Sequence, residues 1–153
     1  MRFGALRASG SPDGTSVVVV VDLVVDGDGD GNSLVHRPNV AMLSFQRLDV
    51  YQCSIRFVGF AVDVAGSLPK GHAALADQLR RAAWSVPLNI AEAAGRSSRA
   101  DAARHYAIAR GSAMEAAAVL DVIRCLGALG EDRHRRGLEL LARIVGMLTK
   151  LCR

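Results

Sequence analysis

At 153 residues, half of them hydrophobic but only 5% aromatic, the chain has room for one core and not two, and its reliance on Ala, Leu and Val favours closely packed helices over a β-sandwich. The formal charge of +4 is uneven: residues 1–41 hold three Arg against five Asp, net −2, while residues 42–153 hold sixteen basic against ten acidic groups, net +6. The longest apolar run, residues 17–25, is nine residues interrupted by Asp22, too short to span a bilayer; together with three widely spaced cysteines (Cys53, Cys125, Cys152) it argues against a membrane span and a disulfide framework and leads to the expectation of a cytoplasmic protein.

Residues 1–41 have loop composition, with Gly, Ser, Asp and Pro clustered around one Val-rich run. The expectation is a disordered or irregular extension with at most one strand, and Met42 is an alternative natural start. Within it, residues 26–32 (DGDGDGN) match the first half of an EF-hand loop, but the twelfth position is Arg37 where a bidentate Glu is required. The tract is therefore read as acidic chain, not as a metal site.

From Met42 onward helical periodicity takes over. A first helix, about 44–65, carries the seam Leu48, Tyr51, Ile55, Val58, Val62, Ala65 and a second apolar row, Val50, Phe57, Ala61, Val64. The breakers of residues 66–71 (GSLPKG) end it. A second helix, about 72–94, runs on Leu75, Leu79, Ala82, Val86, Ile90 and Ala93, with Pro87 expected to bend or loosen it. Gly95 stands at its C-terminus, and Ser97 or Ser98 caps a third helix, about 99–129, with Asp101 in the first turn. Its seam is Tyr106, Ala109, Ala113, Ala116, Leu120, Ile123. A fourth helix, about 131–152, is apolar around most of its circumference and keeps one narrow polar row, Glu139, Arg143, Gly146, Lys150 and Arg153. Helices one and four are apolar over more than a single bundle buries, which predicts homo-oligomerisation. The fold class is thus all-α: an antiparallel up-and-down four-helix bundle over residues 42–153.

Ser85, Asn89, Glu92 and Arg96 share one row of the second helix, and Ser112 and Glu115 hold the corresponding kind of row on the third. Buried polar groups left unpaired cost about 1–3 kcal/mol each, so the two rows are expected to satisfy one another and set the register of the two helices. Catalysis would need more. The four His are isolated, and no HExxH, ExxH pair, GxSxG, phosphate loop or CxxC is present. Glu92 and Glu115 lack the Glu-x-x-His partners of carboxylate-bundle metal sites, since positions 95 and 118 are Gly and Ala. The sequence therefore reads as non-enzymatic, with no catalytic residue, metal or cofactor.

Residues 85–123 (SVPLNIAEAAGRSSRADAARHYAIARGSAMEAAAVLDVI), with F-x-x-L-D-V-Y before them at 45–51, resemble the bacterial four-helix-bundle proteins encoded by intervening sequences in 23S ribosomal RNA genes, to which the accessory protein of diversity-generating retroelements is similar. The family pattern is matched at Asn89, Ile90, Ala91, Glu92, Gly95, Arg96, Tyr106, Ala109, Gly111, Ser112 and Glu115, and it is departed from at Ala93, where the family usually has Gly. The resemblance covers residues 42–153. It implies an up-and-down bundle, a ring-shaped homopentamer with a basic surface and, in the retroelement branch, binding of nucleic acid and of a reverse transcriptase.

The residues support a nucleic-acid partner independently. Arg outnumbers Lys by 17 to 2, and its planar fork suits phosphate oxygens. The candidate contacts are Arg80, Arg81, Arg96, Arg99, Arg104, Arg110, Arg133, Arg135 and Arg136. The alternative is a protein-interaction scaffold, such as a reverse-transcriptase accessory subunit, whose basic surface is incidental.

Overall fold

The computed structural model describes residues 42–153; the irregular extension, the Val-rich run and the acidic tract expected within residues 1–41 lie outside the described part. A 3-10 turn, Ser44–Arg47, leads into four helices: α1 Asp49–Ser67, α2 Ala73–Ala94, α3 Arg99–Cys125 and α4 Glu131–Leu151. The connections are short, so each helix returns antiparallel beside the one before it. Contacts run α1–α2, α2–α3, α3–α4 and α4–α1, with no close approach across either diagonal. That closed square is the up-and-down bundle the periodicity predicts.

Two helix limits differ from expectation. The first helix does not run from Ser44, because Leu48 is extended (φ −71°, ψ 127°). The Gln46 side chain turns back to accept the Leu43 N–H at 2.7 Å, and Phe45 folds edge-on against Tyr51 with ring centroids 4.9 Å apart. The third helix stops at Cys125, four residues before the expected end at 129. Gly127 takes φ +70° and completes a Schellman motif, with Ala128 N–H donating to Ile123 O at 3.1 Å and Gly127 N–H to Arg124 O at 2.9 Å. Leu129 then tucks into the core at 5% exposure. The α3 start is as expected, with Ser98 Oγ accepting the Asp101 N–H at 3.4 Å.

The core also corrects the reading of the first helix. Val50, Phe57, Ala61 and Val64 are buried, whereas Ile55 and Val62 of the expected seam are 45% and 42% exposed. Both rows have the same three-and-four rhythm, so periodicity cannot rank them. The row with Phe57 removes more apolar area from water and faces inward. On α2 the expected seam holds, with Leu79, Val86 and Ile90 fully buried, and α2 runs through a buried Pro87 without interruption. Ala93, the departure from the family pattern, is only 2% exposed, so its methyl is part of the core. Facing these, α3 presents Ala109, Ala113 and Ala116 and then Leu120 and Ile123, and α4 adds Leu141, Ile144 and Leu148. The run of alanines lets α3 lie close to its neighbours.

Candidate functional site

Two features of the bundle carry polar chemistry. The first is the seam between α2 and α3. Ser85 and Ser112 are joined by a hydroxyl hydrogen bond of 2.8 Å, and Asn89 Nδ2 donates back to Ser85 O at 2.8 Å. Toward one end of the seam Gln78 donates to Glu115. Toward the other, Glu92 pairs with Arg96 and lies 3.6 Å from Nδ1 of the buried His105. The polar rows do meet, but only Ser85, Asn89 and Ser112 are half-buried; Glu92, Arg96 and Glu115 are exposed. The row follows the edge of the seam, where long charged side chains reach water.

Energies follow from this layering. Ser85→Ala is expected to cost about 1 kcal/mol by urea unfolding, since it removes one partly shielded hydrogen bond. Glu92→Gln is expected to cost less than about 0.5 kcal/mol, the scale of an exposed pair one helical turn apart. The two glutamates do not form a site together. Among the described residues, no group of three or more His, Cys, Asp and Glu is placed to hold a metal.

The second feature is a groove of about 720 Å³ between α1 and α4. Those helices run antiparallel, so Ser67 at the end of α1 meets Arg133 at the start of α4, with the guanidinium donating to Ser67 Oγ at 3.1 Å. Further along, the same register brings Arg56 and Asp63 of α1 and Arg136 and Arg143 of α4 into the lining of that groove. Four arginines, Arg56, Arg133, Arg136 and Arg143, therefore converge on one cleft together with two carboxylates, Asp63 and Glu139. Among the described residues none of the four is within ion-pair distance of a carboxylate. Phe60, Leu140 and Gly59 complete the lining.

Just behind the groove lies Cys53, 2% exposed, its thiol directed at Leu140 O at 3.9 Å. Burial pushes this thiol above its ordinary pKa, and the positive charges of Arg143 and Arg56 partly oppose that rise. Cys125 is exposed. At pH 8 iodoacetamide is expected to label Cys125 at least about tenfold faster than Cys53 in the folded protein, because only thiolate reacts and of these two only Cys125 is accessible; mass spectrometry of timed samples checks this.

The nine arginines expected to bind nucleic acid do not form one patch. Arg133 and Arg136 line the groove. Arg135 is instead paired with Asp132 at 2.7 Å, and Arg80 with Asp77 at 3.0 Å. Arg81 is held by Gln78. Arg96, Arg99 and Arg104 sit at the opposite end of the bundle, where Arg99 donates to Arg153 O at 3.3 Å; Arg110 is half-buried midway along α3. The two ends are roughly 28 Å apart, the length of a 19-residue helix. Arg56 and Arg143 were not among the expected contacts. The one hint to them in sequence is that Arg136 and Arg143 are seven residues apart and so share a helix face.

A family model described as "23S rRNA-intervening sequence protein" matches residues 46–150. Among solved structures, the fold is similar to a Bacteroides thetaiotaomicron protein of unknown function from the S23 ribosomal protein family, with a TM-score of 0.64 and 22% identity over 68% of this chain and 98% of that one. No curated protein matches the sequence.

Proposed function

Because the chain belongs to the 23S rRNA-intervening sequence protein family, we propose that it is a non-enzymatic, oligomeric, cytoplasmic nucleic-acid-binding protein that holds phosphates in the α1–α4 groove. The observation that carries this reading is the convergence there of Arg56, Arg133, Arg136 and Arg143, each without a carboxylate partner among the described residues. Paired arginines have their charge satisfied within the protein. Unpaired ones lining a cleft keep their forks available for phosphate oxygens.

Self-association raises the effect. Ile55 and Val62 on α1, and Trp84 and Leu88 on α2, at 46% and 67% exposure, are apolar side chains left in water, which supports burial against further copies; α4 differs from expectation, since of its large apolar residues only Leu151 is exposed and the bundle itself covers the rest, fully or in part. A closed ring of five, as the family resemblance implies, would repeat the groove and multiply a net charge of +6 over residues 42–153. Binding of this kind is indifferent to base sequence and falls steeply with salt. A reverse transcriptase is a further partner consistent with the retroelement branch. No helix among the described residues is long and apolar enough to cross a membrane.

The test is a salt titration of binding to generic RNA and to duplex DNA, alongside light scattering of the full chain. Binding at low salt with a steep log–log slope is expected. Absence of binding to either at low salt would falsify the nucleic-acid reading, and a monomer at micromolar concentration would remove the oligomer.

A further inference from the structure

We propose that the α1–α4 groove is a single-strand site, seating an unpaired nucleotide with its base on Phe60 and its flanking phosphates on the surrounding arginines. This inference rests on the nucleic-acid reading above and deepens it. Phosphate binding alone needs only charge, yet this groove has an aromatic and apolar floor.

Phe60 is half-buried and lines the cleft with Leu140, while Arg56 and Arg143 lie toward one end of it and Arg133 and Arg136 toward the other. Two glycines shape that floor. At Gly137 a Cβ would stand 2.7 Å from Phe60 Cε1 and 2.9 Å from Cζ, so the ring rests directly on the α4 backbone and any side chain there would displace it. At Gly59, one residue before Phe60 and also in the lining, a Cβ would meet nothing within 4 Å. A side chain at residue 59 would therefore project into open space at the groove rather than into the core.

A ring flanked by guanidinium groups on two sides suits a nucleobase between two phosphates. Base-on-aromatic stacking is the general means of holding unpaired strands, and it tolerates any base because every base has a π-face. A duplex cannot use this floor. Its bases are stacked and paired inward, and only its phosphates would reach the arginines. Asp63 and Glu139, in the same lining, lower the net positive charge of the cleft, which weakens attraction by phosphate alone. As acceptors they suit the N–H edge of an unpaired base.

The experiment measures fluorescence anisotropy of the full chain, at one fixed low salt concentration, with three probes of equal phosphate count. These are a single-stranded RNA of about 15 nucleotides, within the range that such grooves cover, an abasic strand of the same length, and a duplex of about half as many base pairs. The single strand is expected to bind about tenfold tighter than the abasic strand or the duplex, as one stacked base predicts. Phe60→Leu and Gly59→Leu should each bring the single strand down to the duplex level, abolishing the single-strand preference. Gly59→Leu fills the floor without entering the core, and the abasic comparison needs no variant, so a Phe60→Leu chain that fails to fold does not affect the outcome. Equal affinity for the single and abasic strands overturns the stacking proposal while leaving phosphate binding intact. Binding of none of the three probes overturns the nucleic-acid reading and this proposal together.

Discussion

Replacing Arg56 and Arg143 together by Gln is expected to lower nucleic-acid affinity at least about tenfold at low salt and to flatten the log–log salt dependence by roughly 1.4–1.8 per subunit, the loss of two phosphate contacts. These two are chosen because the folded chain gives neither a carboxylate partner among the described residues, and because they lie 87 positions apart in the sequence yet at the same end of one groove. The control is Arg80→Gln with Arg135→Gln. Both arginines are already paired, with Asp77 at 3.0 Å and Asp132 at 2.7 Å, so this double variant removes the same formal charge with a smaller loss. Equal losses in the two doubles would mean that net charge, not the groove, holds the ligand.

The same substitution has a readout independent of nucleic acid. Arg143 and Arg56 are the charges that oppose the burial-driven rise in the Cys53 thiol pKa. With both replaced by Gln, desolvation acts unopposed and the pKa rises further. At a fixed pH less thiolate is present, and Cys53 should alkylate more slowly than in the parent protein. Unchanged labelling, with the fold intact by circular dichroism, would mean that opening of the buried site, not the charge of the two guanidinium groups, sets the rate.

Leu120→Ala is expected to carry the largest cost in stability, about 2–5 kcal/mol by chemical denaturation. Leu120 is fully buried, and truncation forfeits both its transfer from water and the contacts around the void. Its neighbourhood is tight, since a Cβ on Gly137 would stand 2.7 Å from Leu120 Cδ1 and equally close to Phe60 Cε1. Gly137→Ala alone is therefore expected to destabilise by overpacking, about 1–3 kcal/mol, offset in part by up to about 1 kcal/mol of helix propensity. The two changes should couple. In the double variant the shortened residue 120 leaves room for the new methyl, so the combined cost falls below the sum of the single costs. Strict additivity would show that Phe60, not Leu120, meets the methyl.

Much of the architecture was legible in the chain. The rhythm of Leu79, Val86 and Ile90 on α2, and of Ala109 through Ile123 on α3, placed both inner faces correctly, because each helix has one dominant apolar stripe. On α1 two stripes share that rhythm, and only packing against α2 and α4 decides that Phe57, not Ile55, points inward. The end of α3 is not encoded by Gly127 alone. A glycine permits the left-handed turn without requiring it, and the deciding factor was the burial of Leu129 just beyond.

By itself the sequence determined the number and order of the helices, their antiparallel course and the polar rows that meet between α2 and α3, since these follow from periodicity, breakers and short connections within neighbouring stretches of chain. It also determined that the surplus charge belongs to residues 42–153 and is nearly all arginine. Only the tertiary structure decided which arginines act together. Arg133 and Arg136 were visible as a cluster, but their pairing with Arg56 and Arg143 around Phe60 depends on the register of α1 against α4, the first and last helices of the bundle. That register arises from side chains packing across a closed square, where Gly137 lets Phe60 lie against the α4 backbone, and no local pattern in either helix encodes it.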